Sequence, residues 1–149
     1  MDDCMFRAWN STVRDEDLVL HLGDVTLLSR PSRAPALSEK LQNLKGHKIL
    51  LQGNHDRKEM LKAYRQWGWV TLSSLSVGDV LFSHRPVYPL NRLNRLNIHG
   101  HCHGTSRGDS THTDIGVDAL KLYEPADARQ FVSREVCYQL ALLYRSLRP

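Results

Sequence analysis

Four short stretches of the 149-residue chain gather side chains that can lend a lone pair to a divalent cation: HLGD, GNHD, SHRP and HGHCHG. They supply Asp24, Asn54, His84 and the pair His101 and His103. Carboxylate, amide oxygen and imidazole make an intermediate donor set that suits Mn, Fe or Zn better than Ca, and no thiolate is needed. Taken singly, a buried His or Asp at a strand end more often satisfies backbone donors than binds metal. Their joint occurrence reverses that judgement, because solvated surface histidines would be scattered among the eight in the chain. In an extended segment His101 and His103, at i and i+2, lie on one side and can reach two adjacent ions, while Cys102 points to the opposite face and packs. Gly100 and Gly104 let the backbone turn tightly around them. His21, His47, His99 and His112 stand outside these positions and read as structural or surface residues.

The ligand-bearing stretches must be placed by regular elements, and the apolar spacing supplies them. Met5, Phe6, Trp9 and Val13 predict an amphipathic helix over residues 2–14, with Asp2 or Asp3 as its N-cap. DLVLHLGD reads as a short buried strand that delivers Asp24 into a loop. Leu37, Leu41 and Leu44 space a second helix, HKILLQ a second strand, and residues 57–67 a third helix with Met60, Leu61 and Tyr64 inward. Beyond Gly68 the runs WVTL, DVLFSH and LNIHG read as strands, with a further run over residues 114–121. Val132, Val136, Leu140, Leu143 and Leu147 predict a C-terminal helix. Alternating helices and strands make an α/β layered domain, in which loops at strand ends carry the ligands.

Composition narrows the class. A length of 149 residues is that of one ordinary domain, 1–149, with 41% hydrophobic and 24% charged residues, outside disordered and fibrous classes. No apolar run approaches a membrane span, and MDDCMFRAWN lacks the basic-then-apolar order of a secretory signal, so no membrane partner and a cytoplasmic location are expected. Cys4, Cys102 and Cys137 are odd in number and far apart, and read as reduced thiols. The formal charge of +4 suits an anionic partner. NRLNRLN over residues 91–97, with Arg85 and Arg107, can clamp phosphate through guanidinium forks, although such residues are more often a solvated face. Trp9, Trp67 and Trp69 fall in helix and strand patterns and read as core, so no aromatic platform interleaves with the basic residues.

HLGDV, LLQGNHD, LFSHRP, IHGHCHG and DIGVD, in this order between about residues 9 and 120, resemble the motifs of calcineurin-like metallophosphoesterases, in particular the small bacterial and phage phosphodiesterase-like branch. The resemblance implies a layered fold of central β-sheets flanked by helices. It implies that Asp24 bridges two metals, that Asn54, His84 and His101 complete one coordination sphere, and that His103 belongs to the other. His55 would face the substrate as proton donor or charge stabiliser, with Asp56 orienting its ring. The implied activity is hydrolysis of a phosphomonoester or phosphodiester by metal-activated water. The cofactor would be Mn, with Fe, Zn, Ni or Mg also compatible, and the substrate a phosphate ester, with nucleotides or nucleic acid within the class. The family's opening strand with its Asp-x-His motif has no counterpart before HLGDV, and neither Asp2 nor Asp3 is assigned as a ligand. With that first strand missing, one complete ligand set and one metal are expected, and weak catalysis. The rival reading is a non-catalytic scaffold of the same fold, against which the substrate-facing His55 counts.

Overall fold

The computed structural model describes residues 3–91, 93–105 and 109–116. The predicted C-terminal helix, most of the 114–121 run, Asp2, Arg107 and Cys137 lie outside the described residues, as do the side chains of Asp3 and Cys4. Packing divides the chain into two units, residues 1–71 and 72–149.

In the first unit, helix α1 (Asp3–Thr12) leads to strand β1 (Leu18–His21), helix α2 (Pro35–Gln42), strand β2 (His47–Leu51), helix α3 (Lys58–Gln66) and strand β3 (Val70–Leu72). The sheet order is β1-β2-β3, with β1 parallel to β2 and Leu18 opposite His47. β2 is central, and Ile49, Leu50 and Leu51 are fully buried, as a strand covered on both faces requires. β1, at the edge, is only half-buried along its length, less than its apolar run predicts. The core gathers Phe6, Val25, Leu41, Leu44, Leu50, Met60, Leu61, Tyr64 and Trp69. Met5 is a correction to the predicted stripe: it is 48% exposed, and the inward face of α1 runs through Phe6 and Trp9, three residues apart. The Trp9 indole donates to the Lys45 carbonyl (3.0 Å), and Asn10 accepts from the Lys45 N–H (3.0 Å), which pins α1 to the turn before β2.

One cation is buried among these apolar groups. Lys48 donates its ammonium to the Leu44 carbonyl and stands 5.6 Å above the Trp69 ring. Burial lowers its pKa from the ordinary 10.5, against a smaller upward pull from Asp15. A lysine whose folded pKa is depressed binds its proton better in the unfolded chain. Stability should therefore rise with pH from the folded pKa up to 10.5, the unfolded value. Lys48→Met should flatten that rise. Urea denaturation of both proteins between neutral pH and the lysine range is the check, and parallel pH profiles would remove Lys48 as its source.

In the second unit, strands β4 (Ser74–Val77) and β5 (Val80–Ser83) form an antiparallel hairpin across Gly78 and Asp79. β6 (Leu96–His99) and β7 (His112–Asp114) continue the sheet in parallel, in the order β4-β5-β6-β7. Leu75 and Val77 of β4 are buried while Ser74 and Ser76 face solvent, an alternation that a search for apolar runs passes over. β7 begins at His112, two residues before the predicted run. Fully buried Asn97 knits the sheet to the following loop: its amide donates to the Leu81 carbonyl (3.0 Å) and the Ser83 hydroxyl (2.8 Å), and its oxygen accepts from the Val87 N–H (2.9 Å). Among the described residues no helix is long and apolar enough to cross a membrane.

Candidate metal centre

In the first unit the loops that follow β1 and β2 carry Asp24, Asn54 and His55. Both β-strands end in a turn that must carry a carboxylate, and the turns are tied together by the buried Asp56. Its Oδ2 accepts from the backbone N–H groups of Asp24 (2.8 Å) and Gly53 (2.8 Å), and its Oδ1 from that of Val25 (3.1 Å). A carboxylate with several acceptor sites meets these convergent donors, where a neutral amide offers only one oxygen. Asp24 adopts the left-handed conformation, φ 55°, which Asp tolerates better than most residues. Its Oδ1 accepts from the His55 N–H (2.8 Å). The turn also needs empty space: a Cβ at Gly53 would stand 2.1 Å from Asp24 Oδ1 and 2.4 Å from Asp24 N.

These contacts revise the role expected of Asp56. Its carboxylate accepts from three backbone N–H groups rather than from the His55 imidazole. Asp56 is a positioning residue for the Asp24 turn. His55 is placed through its own backbone bond to Asp24, and its side chain, like that of Asn54, is exposed.

In the second unit His84, His101 and His103 follow strand ends. His84 follows β5 directly, and its carbonyl accepts from the Gly100 N–H (3.1 Å), so the ends of β5 and β6 hold it in place. His84 is buried, and its Nε2 lies 3.1 Å from His101 Nδ1, the rings inclined at 66°. Two nitrogens each about 2.1 Å from a shared cation would be about 3.0 Å apart at a right angle and about 3.4 Å at the tetrahedral angle. The observed separation is that of a hydrogen bond between the two rings and also matches that of neighbouring ligands around one ion. His101 and His103 are both left-handed (φ 69° and 50°), and residues 100–105 turn, with the Thr105 N–H bonded to the Cys102 carbonyl (3.0 Å). This overturns the extended-segment argument for their common side. Cys102 is half-buried, and its thiol is held above the ordinary range by burial and, secondarily, by the charge of Asp114.

His99 and His112, assigned to structural or surface roles, are both buried at 3% exposure. Asn97, which fixes the loop after His84, was missed as a positioning residue. Its signal was a lone amide inside an apolar strand, LNIH.

The chain matches the family model described as calcineurin-like phosphoesterase over residues 5–134. An uncharacterized protein of Methanocaldococcus jannaschii is 39% identical over 57 residues, 38% of this chain, and the match spans 31% of that protein's length. In fold, the chain resembles a crystal structure of a protein of unknown function from Aquifex aeolicus, with a TM-score of 0.61 at 19% identity, covering 87% of this chain and 83% of the other.

Proposed function

Because the chain belongs to the calcineurin-like phosphoesterase family, we propose that it hydrolyses a phosphate ester, with Asp24, Asn54, His84 and His101 holding one divalent cation and Asp24 and His103 the remnant of a second, weaker site. The spacing of the His84 and His101 nitrogens, 3.1 Å, is the observation that carries this reading. Mn is the cation we favour from the mixed oxygen and nitrogen donors. When bound, such cations supply Lewis acidity, lowering the pKa of water and neutralising phosphate oxygens. The chain's own contribution is placement. Asp56 fixes the turn that aims Asp24, Asn97 fixes the loop beside His84, and exposed His55 is free to meet a substrate and protonate its leaving oxygen. Phosphodiesters and phosphomonoesters both fit this chemistry, nucleotides included.

Hydrolysis of bis(4-nitrophenyl) phosphate should stop on chelation and return with Mn²⁺. A rate indifferent to chelator would overturn the proposal. His55→Ala should slow an activated nitrophenyl ester far less than an alkyl ester, because a general acid matters most when the departing alkoxide is basic. Metal content should not change. Equal losses on the two substrates would instead assign His55 to charge stabilisation at phosphorus.

A further inference from the structure

The second unit carries a cavity of ≈ 500 Å³ lined by Tyr88, Pro89, Leu90, Asn94, Arg95 and Thr111, among others. It lies at the far end of the sheet from His84 and His101. β5, β6 and β7 run parallel, so His84 and His101 follow C-terminal strand ends, whereas Arg95 and Thr111 precede the N-terminal ends of β6 and β7. The length of β6 separates them, about 10 Å at strand rise.

Tyr88 dominates this cavity. It is 65% exposed, yet one face of its ring lies on His112, with centroids 3.9 Å apart and planes at 25°. His112 is itself buried and held at both ring nitrogens: Nδ1 faces the Thr111 hydroxyl (2.9 Å) and Asp109 Oδ1 (3.2 Å), and Nε2 faces the Val87 carbonyl (3.0 Å). Asp109 also accepts from the Thr111 hydroxyl (2.8 Å), the Thr111 N–H (2.7 Å) and the His112 N–H (2.8 Å). The hydroxyl bond leads the interactions that hold its carboxyl down at about 2. The back of Tyr88 thus rests on a fixed support while its front meets solvent.

A supported aromatic face is a stacking platform whose ordering cost was met in folding. Pro89 and Leu90 give it an apolar rim. Arg95, which makes no ion pair among the described residues, brings a planar cation suited to phosphate. Polar groups able to read a base edge are largely engaged: Asn91 Oδ1 accepts from the Leu93 and Asn94 N–H groups, and the Thr111 hydroxyl serves Asp109. Recognition by stacking and charge tolerates any base.

We propose that this cavity binds a nucleoside monophosphate, its base stacked on the open face of Tyr88 and its phosphate on the Arg95 guanidinium. No proposed metal ligand takes part, so the site stands independently of the hydrolase reading. Calorimetric titration of the full chain under chelator, which prevents turnover, separates the two. AMP should bind saturably, and ribose 5-phosphate and inorganic phosphate at least about tenfold more weakly, the stacking share being lost. Tyr88→Phe should retain AMP within about twofold, and Tyr88→Ala should lose about tenfold or more. Arg95→Met should weaken AMP while leaving adenosine unchanged. Far-UV circular dichroism of each variant confirms that the fold survives. AMP and ribose 5-phosphate binding alike, undiminished binding by Tyr88→Ala, or no saturable AMP binding to millimolar concentrations would each overturn the proposal.

Discussion

Asp24→Asn should lower metal affinity and hydrolysis by more than about a hundredfold while leaving the fold intact. The substitution is chosen because the structural duties described above for Asp24 have amide equivalents. Asn tolerates the left-handed backbone at φ 55°, and its Oδ1 can accept the His55 N–H as the carboxylate does. The backbone N–H that binds Asp56 is untouched. What disappears is the negative charge proposed to hold the cation, so the loss should appear in binding and rate and not in melting temperature. Calorimetry with Mn²⁺, a diester assay and thermal unfolding on one preparation decide it. Metal affinity equal to that of the parent would remove Asp24 from the ligand set.

The opposite pattern is expected of Asp56→Asn, which should cost about 3 kcal/mol of stability. The carboxylate accepts three backbone N–H bonds with its two oxygens. An amide oxygen can replace one of these oxygens, but its NH₂ then confronts an N–H, donor against donor, in a buried position where water cannot relieve the clash. For a chain of this length the penalty corresponds to a fall of about 10 °C in melting temperature. Ion binding should weaken as a consequence, since the turn that aims Asp24 would loosen. An unchanged melting temperature would show that the three bonds are not what hold the two turns together.

Apolar periodicity made most of the fold legible. Leu37, Leu41 and Leu44 announced α2, HKILL announced β2, and Met60, Leu61 and Tyr64 announced the inward face of α3, because burial on one face leaves a repeat that composition cannot hide. β4 escaped because its exposed positions are serines and its apolar ones only two, Leu75 and Val77. In α1, Met5 and Phe6 were equivalent by hydropathy, and tertiary packing chose Phe6. The chemistry was legible as residue types at strand ends: Asp24 comes after β1, Asn54 after β2, His84 after β5 and His101 after β6. Their support was less so. That Asp56 serves backbone donors, or that His101 and His103 are left-handed, depends on pairings between distant segments, which one sequence does not display.

Gly53 has a broader consequence. It is not among the glycines with positive φ, so its backbone makes no demand that alanine could not meet. The residue is needed for its missing volume, into which the Asp24 carboxylate lies down. A requirement of that kind is insensitive to chemistry. In a saturation scan, position 53 should reject small, large, polar and apolar side chains alike, whereas neighbouring Asn54 and His55, both exposed, should be judged by what their side chains do. The two kinds of intolerance look the same in an alanine scan and separate only when the whole range of substitutions is compared.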